Sequence, residues 1–254
     1  MSRRVAVVGS GRAGGAFPRA LTEAGWSTEA VRARDLISLA GRPGPGGAAP
    51  EAHGSAELVL LCVPDSAVAQ VARGLAPSEG RVVAHCSGSL GLDVLDPAPR
   101  RASVHPLASL PDAAVGAARL VGAWFAVSGD PVASEVVGAL RGHVVALDDA
   151  DRATYHAAAA IASNHLVALM GQVERVASSA GVPLEAYRRL ALESLEGAFD
   201  TAPAEALTGP VARGDWDTVR RHLVAIPVEE RPAYLAMAAE AARLAGREVP
   251  ELSE

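Results

Sequence analysis

The sequence predicts an α/β fold: an N-terminal domain built on a parallel sheet covered by helices, followed by an all-α C-terminal domain. Three observations carry this. Short, near-continuous apolar runs alternate with helical stretches up to about residue 149, the pattern of strands buried on both faces. A glycine cluster, "GSGRAGGAF", joins the first apolar run to the first helical stretch. From Arg152 onward no strand pattern recurs. The expected boundaries are 1–149 and 150–254, the second a common domain size.

The elements follow in order. Val5–Val8 reads as a strand, and Arg12–Ala24 as a helix closed by Gly25 and bent at Pro18, which lacks the N–H for one helical bond. Thr28–Val31 is a second strand, and Arg42–Pro50 a Gly/Pro loop. Leu58–Val63 is a strand and Ser66–Gly74 a helix. Val82–Cys86, Ser103–Val104, Ala123–Val127 and Val144–Leu147 are further strands. Beyond residue 150, four helical patterns follow: 153–181 as one long helix, 183–199, 215–226 with Asp215 as its cap, and 232–246.

Composition bounds the function. The chain has 254 residues, 50% hydrophobic and 20% charged, enough to bury a core in one or two domains. The net charge is −6 and no basic stripe interleaves with aromatics, which excludes nucleic acid as the expected partner. No apolar run reaches membrane-spanning length, and a strand beginning at Val5 leaves no space for a leader, so a cytoplasmic location is expected. Cys62 and Cys86 close strand-like runs and read as buried, reduced thiols. All 23 Lys+Arg residues are arginine, so lysine nucleophiles, Schiff bases and P-loop lysines are excluded. No metal-ligand pattern occurs.

Gly9, Gly11 and Gly14 form G-x-G-x-x-G between a strand and a helix, the context that makes this motif a dinucleotide cradle of the Rossmann type. Gly9 allows the tight turn, Gly11 the close approach of a pyrophosphate, and Gly14 close packing of helix on strand. Ser10, Arg12 and Ala13 complete the loop. At the end of the second strand, where an acidic residue would hold a ribose diol, the chain reads "AVRARD". Arg32 and Arg34 there favour a ribose phosphate, hence NADP over NAD.

Ligands on such a sheet bind outside the carboxyl ends of the strands. Three polar clusters fall there. "CVPD" contributes Val63 and Pro64, with Asp65 read as a helix cap. "HCSGS" contributes Ser87 beside the cofactor. "SVHPL" contributes His105, held extended by the following proline. The segment "TYHAAAAIASNH" places His156 and Ser163 nearly in line on one helix, with Asn164 flanking and a rise of about 12 Å from His156 to Asn164. "LTGPVARGDWDTVRRH" offers Thr208 in a rigid turn, Arg213 as a carboxylate grip, and Thr218 and His222 at i, i+4.

Taken together, "GSGRAGGAF", "LCVPDSAV", "HCSGSLGLDVL", "SVHPLASLP", "YHAAAAIASNHLVAL" and "TGPVARGDWDTVRRHL" resemble the bacterial family that joins a Rossmann-like domain to domain of unknown function 2520. That family is similar to the 6-phosphogluconate dehydrogenase-like reductases, including ketopantoate reductase and pyrroline-5-carboxylate reductase. The resemblance implies a substrate between a nucleotide domain and a helical domain. Ketopantoate reductases of the commoner type carry Lys, Asn and Asn at four-residue intervals; that register falls here on His156, Ala160 and Asn164. With lysine absent, His156 takes the expected role of proton donor, and Asn164 and His105 complete the catalytic set.

The reading from sequence is a cytoplasmic NADPH-dependent reductase of a small carbonyl acid, ketopantoate first. The rivals are an imine reductase similar to pyrroline-5-carboxylate reductase and a dinucleotide-binding sensor without turnover. The apolar helices after residue 149 predict a homodimer.

Overall fold

The computed structural model describes residues 3–33 and 56–251. Arg34 and the expected loop at 42–50 lie outside the described residues. The chain divides into two compact units, Met1–Ser163 and Asn164–Glu254.

In the first unit a seven-stranded sheet has the order β2-β1-β3-β4-β5-β6-β7. Its strands are β1 (Arg4–Val8), β2 (Ser27–Val31), β3 (Leu58–Leu61), β4 (Val82–His85), β5 (Arg100–Pro106), β6 (Trp124–Gly129) and β7 (His143–Ala146). Strand periodicity explains the two cores, because successive side chains point to opposite faces. Val5, Val7, Leu58, Leu60, Val82 and Ala84 join Phe17, Leu21 and Leu120 on one face. Ala6, Val8, Val59, Leu61 and Val83 join Val68, Val71 and Leu75 on the other. Burial on both faces is why these strands read as unbroken apolar runs.

The sheet departs from the all-parallel expectation at one step: β5 pairs antiparallel with β6, while every other pair is parallel. The connection explains it. Helix Ala113–Leu120 lies against helix Arg12–Glu23 with small residues at the contact; a Cβ added to Gly15 would sit 2.8 Å from that of Ala113. The chain then re-enters beside the end of β5, where the Leu107 N–H donates to the Trp124 carbonyl at 2.8 Å. Helix Arg12–Glu23 runs on through Pro18 as one element.

The long helix expected over 153–181 is three pieces: Arg152–Ala160, a π-helical turn Ile161–His165, and Leu166–Ser179. Within that turn Ser163 Oγ donates to the Ala159 carbonyl at 2.7 Å. A hydroxyl that takes the carbonyl four residues back competes with the helical ladder at this wider turn.

In the second unit, Pro210–Arg213, Trp216–Ala225 and Arg231–Leu244 pack around Val211, Val219, Leu223, Ala238 and Ala242. Asp215 caps the middle helix as expected, accepting from the Thr218 N–H at 3.1 Å. The buried Glu230 receives Gln172 Nε2 on its carbonyl at 3.0 Å and the Arg175 guanidinium on its carboxylate. Among the described residues no helix is long and apolar enough to cross a membrane.

Candidate active site

The glycine loop forms one wall of a groove of about 720 Å³ at the carboxyl ends of β1–β4. Gly9, Ser10, Gly11, Arg12, Ala13, Arg32, Val63 and Pro64 line it, together with Ala33, Cys62 and Cys86. Each glycine has its own reason. Gly9 has φ +128°, and a Cβ there would lie 2.2 Å from the Cys62 carbonyl oxygen. A Cβ on Gly14 would lie 2.3 Å from the Gly9 carbonyl oxygen, so helix and loop could not approach. Gly11 is different: a Cβ there would meet no protein atom within 4 Å and would project into open space. The packing of the described residues does not require glycine at Gly11, where the loop faces the open groove.

The helix N-terminus at this loop fits an anion. Gly11 is its cap residue, with no side chain satisfying the first N–H groups and no acidic residue in the first turn. Those donors and the helix dipole are available to a phosphate. Arg32, just past β2, lies on the same groove. A dinucleotide with a charged ribose end therefore fits these residues.

Ser87 does not line the groove; Cys86 holds that place. The Ser87 hydroxyl is fully committed. It donates to Asp65 Oδ2 at 2.8 Å and accepts from the N–H groups of Ser89 at 3.2 Å and Leu90 at 3.3 Å. A hydroxyl has one proton and two lone pairs, so nothing is left over for a ligand. Asp65 is not the helix cap; Pro64 occupies that position. Its carboxylate also receives Ser89 Oγ at 2.8 Å, which staples the turn after β4 to the start of helix Asp65–Arg73.

That staple fixes Gly88, and Gly88 is where the histidines meet. A Cβ there would lie 2.8 Å from His156 Cδ2 and 2.9 Å from both Cε1 and Nε2 of His105. The two imidazoles have centroids 6.1 Å apart. His105 Nδ1 shares a 2.7 Å hydrogen bond with the Tyr155 hydroxyl, with the rings edge to face. Burial pushes His105 down to about 4, helped by the nearby His156 and Arg152; it is therefore neutral at pH 7. Burial pushes Tyr155 up to about 12.

Two supporting residues had no distinct signal in the sequence. His85, at the end of an apolar strand, is completely buried. Its Nε2 faces the Gly91 carbonyl at 3.2 Å and must carry the proton, leaving a bare Nδ1. Burial, with the Arg152 charge, pushes it to about 4. Arg152 stands in "DDADR", which reads as a solvated charge run, yet it is 2% exposed. It donates from Nε to Asp149 at 2.6 Å and from Nη2 to Ser128 Oγ at 2.5 Å. Asp149 in turn accepts from the Leu92 N–H at 3.0 Å, and these contacts hold its carboxyl below the usual range despite some desolvation.

The remaining expected residues sit in or beside the second unit. Ser163 and Asn164 are in the π turn. Thr208 precedes Gly209, whose φ is +95°. Arg213 ends a one-turn helix closed by Gly214. Thr218 Oγ1 donates to Asp215 at 2.7 Å, and His222 Nδ1 shares a 2.7 Å hydrogen bond with the Tyr234 hydroxyl. Among the described residues no group of three His, Cys, Asp or Glu side chains is placed to hold a metal ion.

Family models match the chain in two blocks: a Rossmann-like domain at residues 2–111 and domain of unknown function 2520 (DUF2520) at residues 124–241. The chain belongs to the family that joins a Rossmann-like domain to a DUF2520 domain. The histidine cluster draws on both blocks, His105 from the Rossmann-like match and Tyr155 and His156 from the DUF2520 match, all inside the first compact unit. No curated protein matches the chain. Solved structures share the fold. A Bacteroides fragilis protein whose name proposes an NADP oxidoreductase is 18% identical, with TM-score 0.72 over 95% of this chain and 98% of that one. A Thermotoga maritima protein is 22% identical, with TM-score 0.70 over 95% and 98%. A Streptomyces aurantiacus imine reductase is 17% identical, with TM-score 0.62 over 97% and 96%.

Proposed function

We propose that this Rossmann-like/DUF2520 protein is an NADP(H)-dependent reductase of a small carbonyl acid, with ketopantoate (2-dehydropantoate) the first substrate to try. One observation carries the reading. The groove that fits a dinucleotide ends at Cys86, and two residues further on Gly88 lies under His105 and His156. A reductase needs a hydride source and a proton source side by side, and the chain sets its two candidates in adjacent positions. Gly9, Gly11, Gly14 and the following helix would hold the pyrophosphate, and Arg32 and Arg34 the ribose phosphate; the bound reduced dinucleotide supplies hydride. The Asp65–Ser87–Ser89 staple holds the turn that carries Gly88.

The test is NADPH oxidation, followed at 340 nm, against ketopantoate, other 2-keto acids and cyclic imines. Ketopantoate-dependent oxidation is the expected outcome. Tight NADPH binding without turnover of any compound would replace the reductase with a dinucleotide sensor. A second reading, an imine reductase, draws on the neutral state of His105 at pH 7. A protonated imine brings its own proton and needs no charged acid. Turnover confined to cyclic imines would select it. Asn164→Ala and Arg213→Ala test the second unit's part in substrate binding through KM.

The protein is also proposed to be a homodimer through its second unit. Helix Arg188–Asp200 has no buried residue, and Leu192, Leu195 and Phe199 are exposed on it. An isolated helix of this length is not stable in water without a covered apolar face. Its first residues are Arg188 and Arg189 and its later ones include Glu196 and Asp200. An antiparallel copy would pair opposite charges at both ends, as a two-fold interface requires. Sedimentation as a monomer at micromolar concentration would remove this proposal.

A further inference from the structure

The reductase reading leaves open which side chain gives the proton, and the local geometry separates the candidates. His156 presents a carbon, Cδ2, toward Gly88. His105 presents Nε2 and Cε1 toward the same point, and its other nitrogen is held by Tyr155 at 2.7 Å. A general acid works best when its reactive atom faces the substrate and a third group fixes its orientation. Of these two, only His105 brings a ring nitrogen to that point and has its other nitrogen held by a third group.

We propose that His105 is the proton donor, acting through Nε2–H as a neutral imidazole, and that Tyr155 is the positioning residue that sets this tautomer by donating its hydroxyl proton to Nδ1. The inference rests on the reductase reading for its chemistry, but its structural half stands apart from it.

Proton counting ties the tautomer to the direction of this bond. At neutral pH both partners of the pair are uncharged, so one proton lies between them. If the phenol donates, Nδ1 is the acceptor and Nε2 carries the imidazole hydrogen. The same cluster disfavours the imidazolium. The groups facing His105 are His156 and Arg152 on helix Arg152–Ala160, Asp65 at the start of helix Asp65–Arg73, and His85 on β4. Arg152 is a permanent cation and buried, and it outweighs Asp65, whose charge favours protonation. A neutral imidazole can still give a proton to an oxygen that is becoming an alkoxide.

The step balances. As hydride adds to the carbonyl carbon, the carbon–oxygen π bond breaks and its electron pair moves to oxygen. That oxygen takes the proton from His105 Nε2. Nδ1 takes the proton from the Tyr155 hydroxyl, so the imidazole ends neutral. The phenolate recovers a proton from water, which is left as hydroxide.

The experiment has two arms on the full chain. The first needs neither cofactor nor substrate: ¹⁵N correlation spectra of the imidazoles, with His105→Gln to assign its signals. The Nε2–H tautomer from pH 6 to 9 is expected, with mixed tautomers in Tyr155→Phe. Finding Nδ1–H in the wild-type chain overturns the proposal whether or not a substrate is known. The second arm is kinetic. Tyr155→Phe should lower kcat about 10-fold with KM and NADPH affinity within about 2-fold, and His105→Gln about 100-fold. Unchanged kcat in both variants also overturns it. A chain that turns over nothing defeats the reductase reading and the donor role, and the spectra still decide the tautomer.

Discussion

The protein contains two histidine–tyrosine pairs of nearly the same shape. His105 and Tyr155 share a 2.7 Å hydrogen bond with ring planes at 86°. His222 and Tyr234 share one of 2.7 Å, also at 86°. Their surroundings differ. His105 lies near the end of a strand, its Nε2 packed against a glycine, with a buried arginine close enough to disfavour its charge. His222 is exposed on helix Trp216–Ala225 and bonds one partner on helix Arg231–Leu244. Hydrogen-bond geometry alone does not mark a site. The strand end, the missing Cβ and the desolvated charge do. On this argument the first pair carries chemistry and the second fastens two helices.

The largest effect should come from breaking each pair in parallel. His105→Ala is expected to lower turnover with the best substrate by about 100- to 10,000-fold, the range for a general acid. His222→Ala should leave kcat within about 2-fold and act on melting temperature instead. Steady-state kinetics and thermal melts on both variants decide it. A kcat lost in His222→Ala and kept in His105→Ala would reverse the comparison.

The comparison also shows what a sequence reveals. Both histidines were visible as candidates, one in "SVHPL" and one in "DTVRRH", and nothing in either string separates them. The fold was legible because burial on both faces leaves a one-dimensional trace: 5–8 in β1, 58–61 in β3 and 82–84 in β4 are unbroken apolar runs. The glycine loop was legible because its spacing falls between a strand and a helix, where Gly9 and Gly14 each answer a local constraint. The antiparallel β5–β6 step was not, since it depends on where a connecting helix packs. Nor were the roles of Asp65, Ser87 and Arg152. Their partners, Ser87, Asp65 and Ser128 respectively, lie 22, 22 and 24 residues away, and a side-chain hydrogen bond between distant elements leaves no periodicity.

Gly88→Ala sharpens the comparison without substituting either histidine. The added methyl would lie under 3.0 Å from both imidazoles and must displace them. Shifts near 1 Å at a reacting group cost on the order of 100-fold. The expected result is a kcat loss of that order with NADPH affinity nearly unchanged. Full activity in this variant would show that the placement of the imidazoles against Gly88 does not serve the reaction.

A smaller effect belongs to the other end of the groove. Arg32→Ala together with Arg34→Ala should weaken NADPH binding about 10-fold and leave NADH binding nearly unaltered, since a charge-assisted hydrogen bond is worth about 1.5 kcal/mol. Equal changes for both cofactors, measured by fluorescence titration, would remove the preference for the phosphorylated one.

The smallest effect is on stability against pH, and its sign follows from the histidines. An unfolded histidine titrates near 6.5. In the folded chain His85 and His105 are both pushed down to about 4. Between those values the unfolded state binds more protons, so stability rises with pH across that window. The contribution is complete above about pH 6.5 and is lost as pH falls toward 4. The carboxylates held low, Asp149 and Asp215 among them, act in the same direction but only below their ordinary value of 3.8. The melting temperature should therefore be level above pH 7 and fall between 6.5 and 5. His105→Gln removes one of the two groups and should flatten that fall. A melting temperature that stays constant from pH 7 to 5 would mean that neither buried imidazole resists protonation. The contrast between the two pairs would then rest on position alone.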